Sequence, residues 1–306
     1  MFKAHLRALT FAIVAIVFAS TFVSPAQAAG TKYPLTIKFG GYTTKLLKKP
    51  TKIISLSPSA SEIFHAIGAK SQILAVDSLS NYPTGLPVSK ISGYEPNVEA
   101  ILALKPDLVL LSADSIKAPQ IRTALVNLGV AVLMEKAPTT LSDVYAENTA
   151  LGKVTDRAVS AKKLNESMAK SIKKILAKAN KNSMVRIFHE LDETYYSATS
   201  NTFIGKVYKD FGAINIADAA LGADSSGYPQ LSAEYLLKSD PQVIFLADAQ
   251  YGTTVESVSL RAGWSQMSAV RNKKVVALPA DIPSRWGPRL VDFYKLIGNS
   301  LATVTN

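Results

Sequence analysis

The sequence runs to 306 residues, carries 34 Lys and Arg against 23 Asp and Glu for a formal net charge of +11, and contains no cysteine. The missing thiols exclude disulfides, thiolate metal sites, cysteine nucleophiles and a lipid carried on an N-terminal cysteine. A chain of this length buries a sizeable core without cross-links, as one large domain or as two lobes of ordinary size.

Residues 1–7 hold Lys3 and Arg7 and no acid, 8–23 are an apolar run, Pro25 breaks it, and Ala26-Gln27-Ala28 sets small residues at alternate positions. This is the layout of an export signal, so 1–28 reads as a signal peptide with the mature start near Ala29. The apolar run falls short of the ~20 residues that span a bilayer, which argues against an anchor. Removal of Lys3 and Arg7 takes the charge from +11 to +9. The expected location is outside the cytoplasmic membrane, in a periplasm or wall-bounded space, as a soluble protein.

Further along, 35–39 and 42–47 flank Gly40-Gly41, a hairpin signal. Ile53-Ile54-Ser55-Leu56 is a buried-strand run, and a helix starts within 57–62, where Pro58 suits the first turn and Ser59 and Glu62 have capping-box spacing. Strand-like and helix-like segments then alternate at 73–76, 98–105, 108–111, 121–128 and 130–134, the pattern of a parallel sheet covered on both faces.

Residues 141–181 read as helix alone, interrupted only by Gly152. Val159, Leu164, Met168, Ile172 and Ile175 draw an apolar stripe, and the interleaved lysines form a solvated face. That face and the export signal together argue against a nucleic-acid partner. A second α/β series follows at 185–189, 195–198, 202–211, 243–246, 275–278 and 288–303. The fold class is therefore α/β with two Rossmann-like lobes and parallel-rich sheets. The lobes are 29–140 and 183–306, with 141–182 as the connecting helical segment.

The segment from Glu99 to Leu111 aligns without a gap with Glu234 to Leu246, each copy placing a glutamate seven residues before a proline and then entering a strand. Two lobes of related plan thus put Glu99 and Glu234 at equivalent positions, where acids favour a helix start.

Lys52-Ile-Ile-Ser-Leu-Ser-Pro-Ser-Ala-Ser-Glu62, Val76-Asp77, Asn81-Tyr82-Pro83, Gly93-Tyr94, the 99–111 segment and Gly287-Pro288-Arg289-Leu290 resemble the periplasmic binding proteins for cobalamin and ferric siderophores. The similarity runs in order through nearly all of the mature chain. It implies two lobes joined by one long, stiff helix, with ligand held in the cleft between them. It further implies an extracytoplasmic substrate-binding component of an ABC importer, in which Glu99 and Glu234 meet arginine pockets on the two halves of the permease dimer. Such a protein is expected to act as a monomer, without a cofactor and without catalysis.

The candidate ligand neighbours are Ser57, Ser59, Tyr82, Tyr94, Tyr195, Tyr196, Arg285 and Trp286. Ser57 and Ser59 lie at a helix N-terminus after the first strand, where free N–H groups face a cleft; capping is the local alternative. Tyr82 and Tyr94 occupy loops beyond strand ends. Strand alternation sends one of Tyr195 and Tyr196 to a given face. Arg285 and Arg289 flank Trp286 and are able to clamp carboxylates or phosphate, unless Arg289 pairs with an acid of its own lobe. Trp264 reads as a packing residue. With two arginines at most and several aromatics, the site leans toward a corrinoid over an anionic ferric siderophore or haem.

Two alternatives stand beside this reading. Bare zinc or manganese needs several His and carboxylate ligands, and the mature part offers only His65 and His189, the latter beside Glu190, Asp192 and Glu193. An exported serine hydrolase using His189 lacks the Gly-x-Ser-x-Gly elbow. No metal site is expected.

Overall fold

The computed structural model describes residues 30–112, 114–180, 184–220, 226–279 and 281–304. The signal-like segment 1–28 lies outside them. Strands β1 (Leu35–Phe39) and β2 (Tyr42–Leu46) form the expected antiparallel hairpin. Both turn residues have positive φ, and a Cβ on Gly40 would lie 1.7 Å from the Met134 carbonyl oxygen, so only glycine lets the hairpin tip rest there.

The first sheet is built from β3 (Ile53–Leu56), α1 (Pro58–Ala66), β4 (Ile73–Val76), α2 (Val98–Ala103), β5 (Leu108–Leu111), α3 (Ala118–Asn127) and β6 (Ala131–Met134). Its strands are all parallel, in the order β4-β3-β5-β6. Every residue of β3 and β5 is buried, as two-sided cover requires.

Next come α4 (Leu141–Val154) and α5 (Ala158–Leu176). The second sheet follows with β7 (Arg186–Glu190), α6 (Phe203–Asp210), β8 (Ile214–Asn215), α7 (Ala233–Ser239), β9 (Val243–Leu246), α8 (Val255–Ser259), α9 (Ser268–Arg271), β10 (Val275–Ala277) and α10 (Leu290–Ala302). Its order is β10-β9-β7-β8, again parallel. In both sheets the first strand in sequence lies between the second and the third, and the fourth lies outermost. The two lobes therefore share one topology, as the internal echo requires.

Two expectations need correction. The connection is not one long helix but a hairpin of two, because the chain turns at Thr155-Asp156-Arg157. Asp156 adopts φ 59°, the Thr155 hydroxyl donates to the Leu151 carbonyl at 2.7 Å, and the Asp156 carboxylate accepts from the Thr31 N–H at 2.7 Å. Gly152 admits the returning helix, since a Cβ there would stand 2.4 Å from the Ala161 Cβ. Nor do residues 195–198 form a regular strand. Tyr195 has φ 70° in a tight turn, its N–H donating to the Asp192 carbonyl, and Tyr196 makes one isolated bridge to Gln230.

The hairpin belongs to both lobes. Leu151, Val154 and Ala161, near its tip, pack in the core of the first lobe with Ile63, Phe64 and Leu108. Val144, Met168 and Ile172, toward its open end, pack in the core of the second lobe with Val207, Phe245 and Phe293. With a rise of about 1.5 Å per residue, α5 carries the chain roughly 28 Å from one core to the other.

Candidate ligand cleft

Segments that leave the carboxyl ends of strands in the two parallel sheets meet. Asn81, beyond β4, donates through Nδ2 to Asp281 Oδ2 beyond β10 at 2.8 Å. The Trp286 N–H donates to Ser59 Oγ at 3.2 Å. Arg289 reaches Glu62 on α1, its Nε 3.0 Å from each carboxylate oxygen and its Nη2 also on Oε1, while the Tyr82 ring lies 4.4 Å from the guanidinium carbon.

Each contact has a local cause. Ser57, not Ser59, is the N-cap of α1, accepting from the Ala60 N–H at 3.2 Å and donating to Glu135 Oε1 at 2.8 Å. The Ser59 hydroxyl is thereby left for Trp286, and Glu62, one turn on, for Arg289. Arginine 289 thus pairs with an acid of the opposite lobe, against the expectation of a partner in its own. Burial raises the Glu62 pKa, and the bonds from Arg289 act against that rise. Asp77, at the end of β4, is also raised by burial and opposed by the Ser80 hydroxyl.

Arg285 is held by Asp281 at 2.9 Å, leaving its Nε buried without a partner, as is Trp286 Nε1. Tyr82, Tyr94 and Tyr196 are exposed, Tyr94 at 59 %. The Tyr94 carbonyl accepts from the Ile116 N–H, which sets the Tyr94 backbone beside the 114–116 loop. Across from that loop, Tyr228 of the second lobe has its pKa raised by burial and then by the Asp114 charge.

In the second lobe Glu190, fully buried at the end of β7, takes a two-pronged bond from Arg261, 2.6 Å on each arm. That guanidinium lies 4.5 Å from the Trp264 ring and 5.5 Å from the Tyr195 ring. Trp264 is a core residue, as expected, and Tyr195 supports the ion pair. Asp248 lies close enough to Glu190 to oppose its ionisation, after the larger effect of burial, and accepts from Thr253 Oγ1 at 2.6 Å. Tyr228, Asp114, Asp248 and Arg261 carried no local sequence signal; Glu190 stood out in the sequence only beside His189, in the metal alternative.

His189 is wholly buried with Nδ1 2.7 Å from the Tyr208 hydroxyl, and burial lowers its pKa to about 3. No group of three or more metal-ligating side chains occurs among the described residues. Glu99 and Glu234 are exposed in the first turns of α2 and α7. Their helices are capped alike, Asn97 accepting from the Ala100 N–H at 2.8 Å and Ser232 from the Tyr235 N–H at 3.1 Å. No helix among the described residues is long and apolar enough to cross a membrane.

Two α/β lobes of one topology, bridged by helices and meeting at their strand ends, define a two-lobed binding protein. Residues 53–282 match the model of the periplasmic binding protein family, and the chain belongs to it. It is 31 % identical over 283 residues to an ABC transporter substrate-binding lipoprotein of Bacillus subtilis, covering 88 % of this chain and 86 % of that one. It is 30 % identical over 257 residues to the vitamin B12-binding protein of Vibrio cholerae, 82 % of this chain and 90 % of the relative. The crystal structure of the periplasmic vitamin B12-binding protein of Vibrio cholerae superposes with a TM-score of 0.69 at 27 % identity, over 83 % of this chain and 97 % of that one. A periplasmic haem-binding protein of Roseiflexus, at 20 % identity, TM-score 0.70 and 82 % and 97 % coverage, shares the fold. The Bacillus relative is a lipoprotein by name, whereas this sequence has no cysteine to carry a thioether-linked lipid.

Proposed function

We propose that this chain is the extracytoplasmic substrate-binding component of an ABC importer. It captures a corrinoid or an iron-chelate or haem ligand in the cleft and delivers it to the permease, without catalysis and as a monomer. The signal-like segment 1–28 directs it out of the cytoplasm, where it works free of a lipid anchor in a periplasm or wall-bounded space. Ser59, Tyr82, Tyr94, Tyr196, Arg285 and Trp286 contribute to the ligand surface; Ser57 and Tyr195 act behind it, through the α1 cap and the Arg261 stack.

The observation that carries the reading is the pair of exposed glutamates on identically capped helices of two lobes with one topology. Two carboxylates fixed on a braced body set docking orientation and speed encounter more than they add affinity. Glu99→Arg with Glu234→Arg is expected to leave folding and ligand affinity unchanged and to abolish uptake through the cognate importer. Normal uptake by that double variant would return the glutamates to a helix-start role.

A further inference from the structure

A groove of about 520 Å³ lies between the end of α5 and the last turns of α10, away from the cleft. Helix α10 starts beside Arg289, and its 13 residues carry the chain roughly 20 Å from there. At its far end Lys274, which precedes β10, donates through Nζ to Thr303 Oγ1 at 2.9 Å, so the groove sits at the amino ends of the second sheet's strands. Its floor is apolar, formed by Ile175, Phe211, Leu301 and Val304. Gly298 opens that floor, since a Cβ there would stand 3.0 Å from Phe211 Cε1 and 3.3 Å from Ile175 Cγ2. The rim carries Lys174, Lys178 and Lys295, all exposed and none in an ion pair among the described residues. No Asp or Glu lines it: Asp292 lies one turn before Lys295 outside the lining, and Asp210 accepts from the Tyr294 hydroxyl at 2.7 Å.

The basic rim continues along α5, which holds five lysines and one glutamate. Lys163, Lys170 and Lys174 follow one another at seven and four residues, on an exposed stripe opposite the buried Ala161, Met168 and Ile172. At about 1.5 Å per residue that row is roughly 16 Å long. The one acid of the helix, Glu166, is 3.7 Å from Lys162. A free anion such as phosphate answers the lysines and leaves the apolar floor in water, while a hydrocarbon does the reverse. An anionic amphiphile satisfies both, and a row of charges longer than one headgroup is met by an array of headgroups.

We propose that this end of the second lobe is a contact surface for a membrane of anionic phospholipids. The lysines of α5 and α10 face headgroup phosphates, and the groove admits apolar acyl surface between them. None of the cleft residues, and neither Glu99 nor Glu234, lines the groove. The inference therefore goes beyond the importer reading and does not depend on which ligand the cleft takes.

Sedimentation with vesicles tests it. The mature protein is mixed at low salt with vesicles of phosphatidylcholine alone, or of phosphatidylcholine with an equal part of phosphatidylglycerol. Binding is expected only to the anionic vesicles and should weaken as salt is added. Lys174→Gln with Lys178→Gln and Lys295→Gln should weaken it at least ~10-fold. Lys32→Gln with Lys38→Gln and Lys45→Gln, an equal loss of charge from exposed positions of the first lobe, should leave it nearly unchanged. Equal weakening by the two sets, each checked for folding by circular dichroism melts, would reduce the effect to net charge and overturn the assigned surface. Because the chain has no cysteine, Asn299→Cys supplies a single thiol at the groove for an environment-sensitive dye. Its emission should shift to the blue on anionic vesicles, and an unshifted spectrum on bound protein would take the groove out of the contact. Release from the vesicles by inorganic phosphate at constant ionic strength would make this a free-anion site and sink the membrane assignment, as would failure to sediment with either vesicle. The importer reading stands through each of these outcomes, since the cleft, Glu99 and Glu234 are unaltered.

Discussion

The two lobes share a strand order and even the position of a helix cap, yet their charges are wired differently. In the first lobe one buried acid, Glu62, is 2 % exposed and finds its arginine in the opposite lobe. In the second, Glu190 is 0 % exposed and finds Arg261 within its own. Repetition has preserved what the backbone needs, strands and caps, and has left side-chain pairing free to serve separate ends. One pair ties lobe to lobe; the other stays within a single lobe.

The largest expected effects break these pairs. Arg261→Ala and Arg289→Ala each strand a buried carboxylate and should cost about 3–5 kcal/mol in denaturant unfolding. Only Arg289→Ala should also loosen the lobes, seen as a larger radius of gyration by solution scattering. Equal expansion in both variants would erase the distinction. In the unaltered protein, bracing by α4 and α5 predicts nearly the same radius with and without ligand.

Acid should separate the lobes next, through His189. Because burial holds its folded pKa at about 3, below the ordinary 6.5, the unfolded chain takes up a proton that the folded one refuses. Its contribution is therefore a loss of stability as pH falls from 6.5 toward 3, at about 1.4 kcal/mol per unit. Glu62 and Glu190 have folded pKa values raised by burial. Their contribution has the opposite sign: fully present below the ordinary carboxylate range and lost as pH rises through the folded value. His189→Asn, which retains an acceptor for Tyr208, removes the first effect only. Between pH 6.5 and a pH about two units lower, wild type should lose about 2 kcal/mol relative to this variant in urea melts.

Ligand affinity gives a smaller test. Tyr94→Ala with Trp286→Ala should weaken binding by at least ~1 kcal/mol, and adding Tyr228→Ala should weaken it further. Unchanged affinity in the first pair would take both rings out of the site. The smallest effect probes the repetition itself: Asn97→Ala and Ser232→Ala should each cost about 1 kcal/mol, and by the same amount. Markedly unequal losses would mean that the two caps are alike in geometry only.

Much of the framework was legible because it depends on neighbours in sequence. Wholly apolar runs such as 53–56 and 243–246 announced buried strands, and Gly40-Gly41 announced the hairpin. The echo fixed the equivalence of Glu99 and Glu234 before either was placed. The break in the connecting helix was not legible, since Asp156 enters the left-handed region where no Gly or Pro marks a stop. The Tyr195 turn was hidden for the same reason, its residues having ordinary strand composition. The cleft chemistry was the least visible, because Glu62 meets Arg289 and Glu190 meets Arg261 across separations of 227 and 71 residues, with no periodicity to link them.

The helical hairpin has a consequence for the order in which the molecule is made. By Met134 the last strand of the first sheet has been synthesised, yet its hydrophobic interior is closed by Leu151, Val154 and Ala161. The outgoing helix then exposes Met168 and Ile172 until Phe293 and Ile297 arrive on α10 at the end of translation. Neither half is a self-sufficient folding unit. The polypeptide is expected to remain a chaperone client until its final helix emerges, and to melt afterwards in one cooperative step, while scission between 134 and 141 divides an interior and not a tether.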